Sequence, residues 1–189
     1  FSYPLFDSSA LFDVYLSKKI RSGITDSIEN VSGELRAINF GIFSAEIGAR
    51  KWFNAAQHGS YMIWKIGKNN ISEILIINND NIECYIVCKK AKSSIKVLEI
   101  IGSFCPLEKL IHQIELCLNE DINQFTDIER VFLYSAESNS KLCKQIIDKK
   151  IKNITILSPF EALDISNKYK VSQLQGATFA EVGVGFRGI

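Results

Sequence analysis

The stretch from residue 61 to residue 102 constrains the fold of this chain most strongly, because short apolar runs alternate there with turn sequences. Isoleucine-rich runs of this length, bounded by Asn, Asp and Gly, are typical of β-strands. The tetrapeptide NNDN at 78–81 is a strong turn, since Asn and Asp tolerate left-handed backbone. The stretch therefore predicts strands at 61–66, 71–77 and 82–89. Residues 94–101 are either a fourth strand or a continuation of the third.

Helices and strands then alternate. Pro106 opens a helix, as proline does at a first helical position, and apolar residues recur at helical spacing up to residue 118. A strand at 131–135, a helix at 139–150, a strand at 154–157 and a final helix at 177–187 follow. Upstream, the same reasoning predicts a strand at 11–16, a helix at 18–31, a strand at 35–40 and a helix at 43–53. The order predicts an α/β protein.

The upstream part repeats the order of the downstream part, with Ser17 and Ser135 at corresponding positions. A polar break, QHGS, lies at 57–60 between them. We therefore predict two units: 1–57, the closing strand–helix–strand–helix part of a first unit, and 58–189, a second, complete unit. The simplest explanation of the partial first unit is that the parent protein continues upstream of Phe1, and a minimal natural version is the alternative.

Three sequence segments resemble the actin-like ATPase superfamily. They are WKIGKNNISEILII at 64–77, VFLYSAES at 131–138, and ITILSPFEAL at 154–163 with ATFAEVGVGFRG at 177–188. The resemblance is to the pilus-assembly branch, PilM, and more distantly to the cell-division protein FtsA. It implies a ribonuclease-H-like fold in each unit, with a mixed five-stranded sheet flanked by helices.

In that superfamily the glycine turn after the first strand holds ATP phosphate, and a carboxylate two residues before the glycine orients the metal. Gly67 keeps the glycine, but Lys65 stands in place of the carboxylate. Magnesium sites of this type use oxygen ligands, which a lysine does not supply. Bulky Lys68, Asn69 and Asn70 follow, where the family has small residues. The alternative for Gly67 is an ordinary hairpin glycine, and the alternative for Lys65 is an edge position that points to solvent.

The family's second glycine run is also degraded, because Ser135 is followed by Ala136, Glu137 and Ser138. Each Cβ would crowd a nucleotide, and the carboxylate of Glu137 would repel phosphate. An alternative for Glu137 is capping of the following helix. The resemblance thus implies a vestigial nucleotide cleft without catalytic residues or metal ligands. Its members are Gly67, Lys68, Asn69, Ser135, Ala136 and Glu137.

Composition narrows the possible partners. The net charge is +1, from 22 basic and 21 acidic residues, which gives no basic field for nucleic acid. Lysine runs at 89–92 and 149–152 are short and are expected to be solvated ends of elements. No apolar run approaches the roughly 20 residues that span a bilayer. The five cysteines contain no CxxC pair and are expected to be buried, reduced side chains, which favours the cytoplasm.

The resemblance, with its degraded phosphate and glycine motifs, implies a non-catalytic actin-like scaffold in a type IV pilus or type II secretion-like assembly platform. It is expected in the cytoplasm, or peripheral at the inner membrane, without a cofactor. Its partners would be membrane-anchored assembly proteins or further copies of itself, with no nucleic acid and no direct membrane insertion. The alternative is an ATPase or sugar-kinase-like enzyme that binds ATP through an upstream half-site. Trp52, Trp64, Phe160 and Phe179 could anchor an interface, although a core role is expected for each.

Overall fold

A computed structural model of the chain describes residues 2–4, 11–13, 17–30, 41–104, 106–120, 122–136 and 140–158. Within these ranges the protein is α/β, with four α-helices, a two-stranded sheet and a six-stranded sheet. The elements are, in chain order, β1 (Ser2–Pro4), β2 (Leu11–Asp13), α1 (Lys18–Glu29), α2 (Gly41–Phe53), β3 (Ser60–Ile66), β4 (Ile71–Asn78), β5 (Asn81–Ala91), β6 (Ser94–Gly102), α3 (Leu107–Asn119), β7 (Arg130–Ser135), α4 (Lys141–Asp148) and β8 (Ile154–Ile156).

The large sheet is mixed, with the strand order β6-β5-β4-β3-β7-β8. Strands β3 to β6 form an antiparallel meander, because each pair is joined by a short turn. Left-handed residues make these turns: Asn69 and Asn70 between β3 and β4, and Asn79 and Asp80 between β4 and β5. Strand β7 pairs parallel to β3, and β8 pairs parallel to β7. Helices α3 and α4 make the crossovers that parallel pairing requires.

Helices cover both faces of this sheet. One face packs against α3 and α4, where Trp64 of β3 is fully buried and belongs to the same buried cluster as Leu110 and Ile114 of α3. The other face packs against α2, where Tyr61 and Ile63 of β3 belong to the same buried cluster as the α2 side chains. Successive side chains of a strand point to opposite faces, and both faces are covered, so β3 and β4 are apolar along almost their whole length. The sequence prediction of a core role for Trp64 is confirmed.

The prediction of a five-stranded sheet is wrong, because the described sheet has six strands. Residues 94–102 form a separate strand, β6, that pairs with β5 from Ala91–Ser94 to Cys84–Gly102. The chain reverses at Lys92, whose φ is 53°. A lysine and a serine make this turn instead of the Gly, Asn or Asp that normally mark one, so the sequence did not resolve it.

Strand β1 was not predicted, because Pro4 and the serines around it favour irregular structure. The remaining elements follow the sequence predictions to within two or three residues at the ends that the structure describes. The predicted strand at 35–40, the last part of the strand at 11–16 and the helix at 177–187 lie outside the described residues. The division of the chain at residue 57 stays a prediction. Helix α2, upstream of that division, packs on the six-stranded sheet.

Asn153 ties the loop before β7 to the start of β8. Its Oδ1 accepts from the Phe125 N–H at 2.9 Å, and its Nδ2 donates to the carbonyls of Phe125 at 3.0 Å and Ile128 at 2.9 Å. We expect Asn153→Ala to lower the free energy of unfolding in urea by about 2–3 kcal/mol, because three partly buried backbone groups lose their partner. Asn119→Ala is the matched control, since that exposed amide makes one bond, to Ser93 O at 2.7 Å. Equal losses in the two variants would contradict this account.

Candidate functional site

The fold brings together the two segments that the sequence marks as a nucleotide cleft. Strands β3 and β7 lie side by side and parallel, with Ile66 opposite Ser135. The Ala136 N–H donates to Ile66 O at 2.8 Å, and Ser135 Oγ donates to the same carbonyl at 3.4 Å. The turn at Gly67 therefore adjoins the end of β7. We call residues 65–70 with residues 134–136 the β3–β7 edge. Glu137 lies outside the described residues.

Gly67 does not use the conformational freedom of glycine. Its φ of −96° and ψ of −171° are extended values that any residue adopts. Its N–H donates to Ile71 O at 2.8 Å and closes the turn. The left-handed positions of the turn are Asn69 and Asn70. This geometry is that of an ordinary hairpin, and it directs the Gly67 N–H into the turn.

Lys65, at the position where the resemblance expects a metal-orienting carboxylate, forms an ion pair with Glu73. The two residues are cross-strand partners in β3 and β4, and their side chains are 21% and 19% exposed. The other Glu73 oxygen accepts from Tyr85 Oη at 3.2 Å. Helix α2 begins beside this pair, since a Cβ at Gly41 would lie 3.8 Å from Lys65 Nζ. Lys65 is thus a central-strand residue whose ammonium is held in the sheet, and the alternative of an edge lysine pointing to solvent is wrong.

Two tyrosines enclose the Lys65–Glu73 pair on the α2 side of the sheet. Tyr134 is opposite Lys65 in β7, and its hydroxyl is buried without a hydrogen-bond partner among the described residues. Burial raises the pKa of Tyr134 and of Tyr85, and the charge of Glu73 raises both further. Both phenols are therefore neutral donors at physiological pH. Glu73, Tyr85 and Tyr134 were not predicted from the sequence. The sequence pattern that could have identified them is a residue with a polar side-chain atom at an inward position of a strand whose other inward residues are apolar.

A second polar group fixes α2 over the sheet. Arg50 binds Glu46 on the same helix, and its guanidinium donates to Asp80 Oδ1 at 2.6 Å. Tyr61 Oη donates to Glu46 at 2.6 Å, and the Arg50 guanidinium lies 5.9 Å from the centre of the Tyr61 ring. Burial raises the pKa of Tyr61, with a further contribution from the charge of Glu46. The group joins α2, β3 and the β4–β5 turn, so its role is structural.

Two surface cavities lie at the opposite end of β3, away from the β3–β7 edge. One, of about 410 Å³, is lined by Asn78, Glu83 and Phe104 among others, and one of about 300 Å³ by Gln124 and Asn153 among others. Ser60, Asp127 and Glu129 line both. Burial raises the pKa of Glu83, whereas the hydrogen bond from Lys109 lowers the pKa of Asp127. None of the residues that the sequence predicted for the site lines either cavity.

The four described cysteines are buried and free, as the sequence predicted. Burial raises the pKa of Cys84 to about 12 and of Cys88 to about 11, so both are thiols at neutral pH. The described residues contain no cluster of three or more His, Cys, Asp or Glu side chains arranged to hold a metal ion. Within the same part of the chain, no helix has the length and apolarity to cross a membrane.

Neither a known family model nor a curated protein matches this chain.

Proposed function

We propose that this chain is a non-catalytic actin-like scaffold protein of the PilM type. It would act through protein–protein contacts in the inner-membrane platform of a type IV pilus or a type II secretion-like system. The strand arrangement supports the ribonuclease-H-like part of this proposal. Three consecutive antiparallel strands, β3 to β5, are followed by β7 and β8, which continue the sheet on the other side of β3. Strand β6 would be an addition at the outer edge.

The Lys65–Glu73 ion pair is the observation that carries the non-catalytic part. An actin-like ATPase needs free carboxylate oxygens near the phosphate turn to place magnesium and its water. At the corresponding position here an ammonium group neutralises the neighbouring carboxylate. Tyr85 donates to the other oxygen of Glu73, so both oxygens are already engaged.

The backbone of the β3–β7 edge supports the same conclusion. Phosphate turns bind through several backbone N–H groups that point at the ligand. The N–H groups of Gly67 and Ala136 instead donate to Ile71 O and Ile66 O, each at 2.8 Å. A phosphate group at this edge would have to replace hydrogen bonds of the hairpin and the sheet. We therefore expect magnesium-ATP to bind weakly or not at all.

Calorimetric titration of magnesium-ATP tests the proposal, with the protein in its longest natural form and its Lys65→Asp variant side by side. We expect no heat of binding from the natural protein. Heat from the variant alone would identify Lys65 as the change that abolished binding. Micromolar binding by the natural protein would contradict the proposal and favour an ATPase or sugar-kinase-like enzyme. Circular dichroism controls for folding of the variant, because the introduced carboxylate would face Glu73 across the strands.

The scaffold part is tested by titrating the protein with synthetic cytoplasmic segments of inner-membrane pilus and secretion proteins. We expect saturable binding to one such segment, with a sequence-scrambled peptide as the control. Equal affinity for the segment and its scrambled form would count against a specific partner of this kind. Failure of every segment, together with monomeric behaviour in sedimentation, would overturn the scaffold proposal.

A further inference from the structure

The fold joins two lysine runs that are far apart in the sequence. Both meet the C-terminal end of α3, where Lys90 Nζ donates to Leu118 O at 3.4 Å and Lys149 Nζ donates to Glu120 O. Burial raises the pKa of Cys117, the α3 residue beside these carbonyls, to about 12, and both lysine charges oppose that shift. Two ammonium groups, one from β5 and one from the end of α4, thus bind the C-terminal end of α3.

Further lysines extend this surface. Lys92 lies on the β5–β6 turn, which is held against α3 by the bond from Asn119 Nδ2 to Ser93 O at 2.7 Å. Lys150 follows Lys149 at the end of α4. We call Lys90, Lys92, Lys149 and Lys150 the lysine surface. Lys92 and Lys150 are exposed, and neither forms an ion pair with any residue that the structure describes.

Backbone conformation gives a second, independent reason to single out this surface. Seven described residues other than glycine have positive φ, and five of them are Asn or Asp, which tolerate that conformation. The other two are Lys92, with φ 53°, and Lys150, with φ 52°. Lysine is a poor residue for a left-handed turn, so neither position is explained by backbone preference. Both lie on the lysine surface, where the positive charge is the property that the two share.

We propose that the lysine surface docks the protein on the headgroups of an anionic lipid membrane. Lysines near such a surface are attracted to it, each by roughly a factor of five in binding. Among the described residues, the carboxylates of Glu115, Glu120 and Asp148 belong to the same segments, and four lysines against these three leave an excess of positive charge there. The net charge of the whole chain is only +1, so the attraction comes from this local arrangement.

An apolar side chain beside the lysines favours a lipid surface over a nucleic acid. Ile147 is 41% exposed, and the Lys150 N–H donates to its carbonyl at 3.1 Å. This hydrogen bond brings the backbone of Lys150, just past the end of α4, back to Ile147 in the last turn of the helix. An apolar side chain among lysines suits the boundary between headgroups and acyl chains. Single-stranded nucleic acid is held by aromatic stacking instead, and the described segments that form this region, 89–94, 117–120 and 146–150, contain no aromatic residue.

Co-sedimentation with vesicles tests this proposal. One set contains equal parts of phosphatidylcholine and phosphatidylglycerol, and the other phosphatidylcholine alone. We expect the protein to bind the anionic set only, and to dissociate as salt is raised. The double variant Lys92→Asn and Lys150→Asn should bind about 25-fold more weakly, because two lysines each contribute roughly fivefold. Asn tolerates left-handed backbone, so the variant should unfold at the same or a higher temperature and remain testable.

The control is the double variant Lys18→Gln and Lys51→Gln, which removes two exposed charges elsewhere on the described surface. It should bind the vesicles as the natural protein does. The proposal would be overturned if both double variants lost binding equally, or if the protein bound neutral vesicles as well as anionic ones. It would also be overturned if the protein bound an oligonucleotide through Lys92 and Lys150 but did not bind vesicles. The lysine surface shares no residue with the β3–β7 edge, so this test and the magnesium-ATP titration succeed or fail separately.

Discussion

Replacing Gly102 by alanine is expected to lower the free energy of unfolding by about 3–5 kcal/mol. Gly102 ends β6 with a φ of 86°, in the region that L-residues with a side chain rarely adopt. A Cβ there would overlap the Glu83 carbonyl oxygen and lie 3.2 Å from Cys84 Cα. These atoms belong to the backbone of β5, the neighbouring strand, and move only if the strand pairing is distorted. Urea unfolding followed by circular dichroism measures the loss.

The matched control for Gly102→Ala is the same substitution at Gly23. Gly23 lies within α1, and a Cβ added there would have no atom within 4 Å. Alanine stabilises a helix interior relative to glycine by about 0.5–1 kcal/mol. The two Gly→Ala changes should therefore have opposite signs. A small loss at Gly102, comparable to the change at Gly23, would mean that the β5–β6 pairing is not held as the structure describes it.

Sequence patterns predicted most of this fold because its elements follow simple periodicities. Strands β3 and β4 are apolar runs bounded by Asn-rich turns, and α3 has apolar residues at helical spacing behind Pro106. The β5–β6 turn could not be predicted in the same way. Lys92 makes this turn with a left-handed backbone. Turn prediction relies on Gly, Asn and Asp at such positions, so a lysine there is not recognised.

The candidate site was predicted in part. The sequence marked Gly67 and Ser135, and parallel pairing of β3 with β7 places them at one edge of the sheet. It did not predict that Glu73 would hold Lys65, because that contact depends on strand register. Register is a property of the paired strands, and a shift by one residue would move Glu73 to the other face. The lysine surface was missed for a related reason, since only the packing of α3 joins the two lysine runs.

The second large expected change in stability concerns the Lys65–Glu73 ion pair. We expect Lys65→Met to lower the free energy of unfolding by about 3 kcal/mol, because removing one partner of a largely buried ion pair, 21% and 19% exposed, leaves the other charge uncompensated. Glu73 is 19% exposed and would retain the hydrogen bond from Tyr85. Urea unfolding at neutral pH measures the change. Lys68→Met is the matched control, since Lys68 is exposed in the adjacent turn, and its effect should stay within about 0.5 kcal/mol.

A double-mutant cycle measures the interaction energy between Lys65 and Glu73 separately from their contacts with other residues. Glu73→Gln keeps an oxygen for the Tyr85 hydroxyl and removes the charge, so Lys65→Met with Glu73→Gln leaves no unpaired ion. The double variant should recover most of the loss, with a coupling of about 2 kcal/mol between the two positions. Additive losses would mean that Lys65 and Glu73 do not stabilise each other. The lysine would then be available to a ligand, and the main argument for a non-catalytic β3–β7 edge would fail.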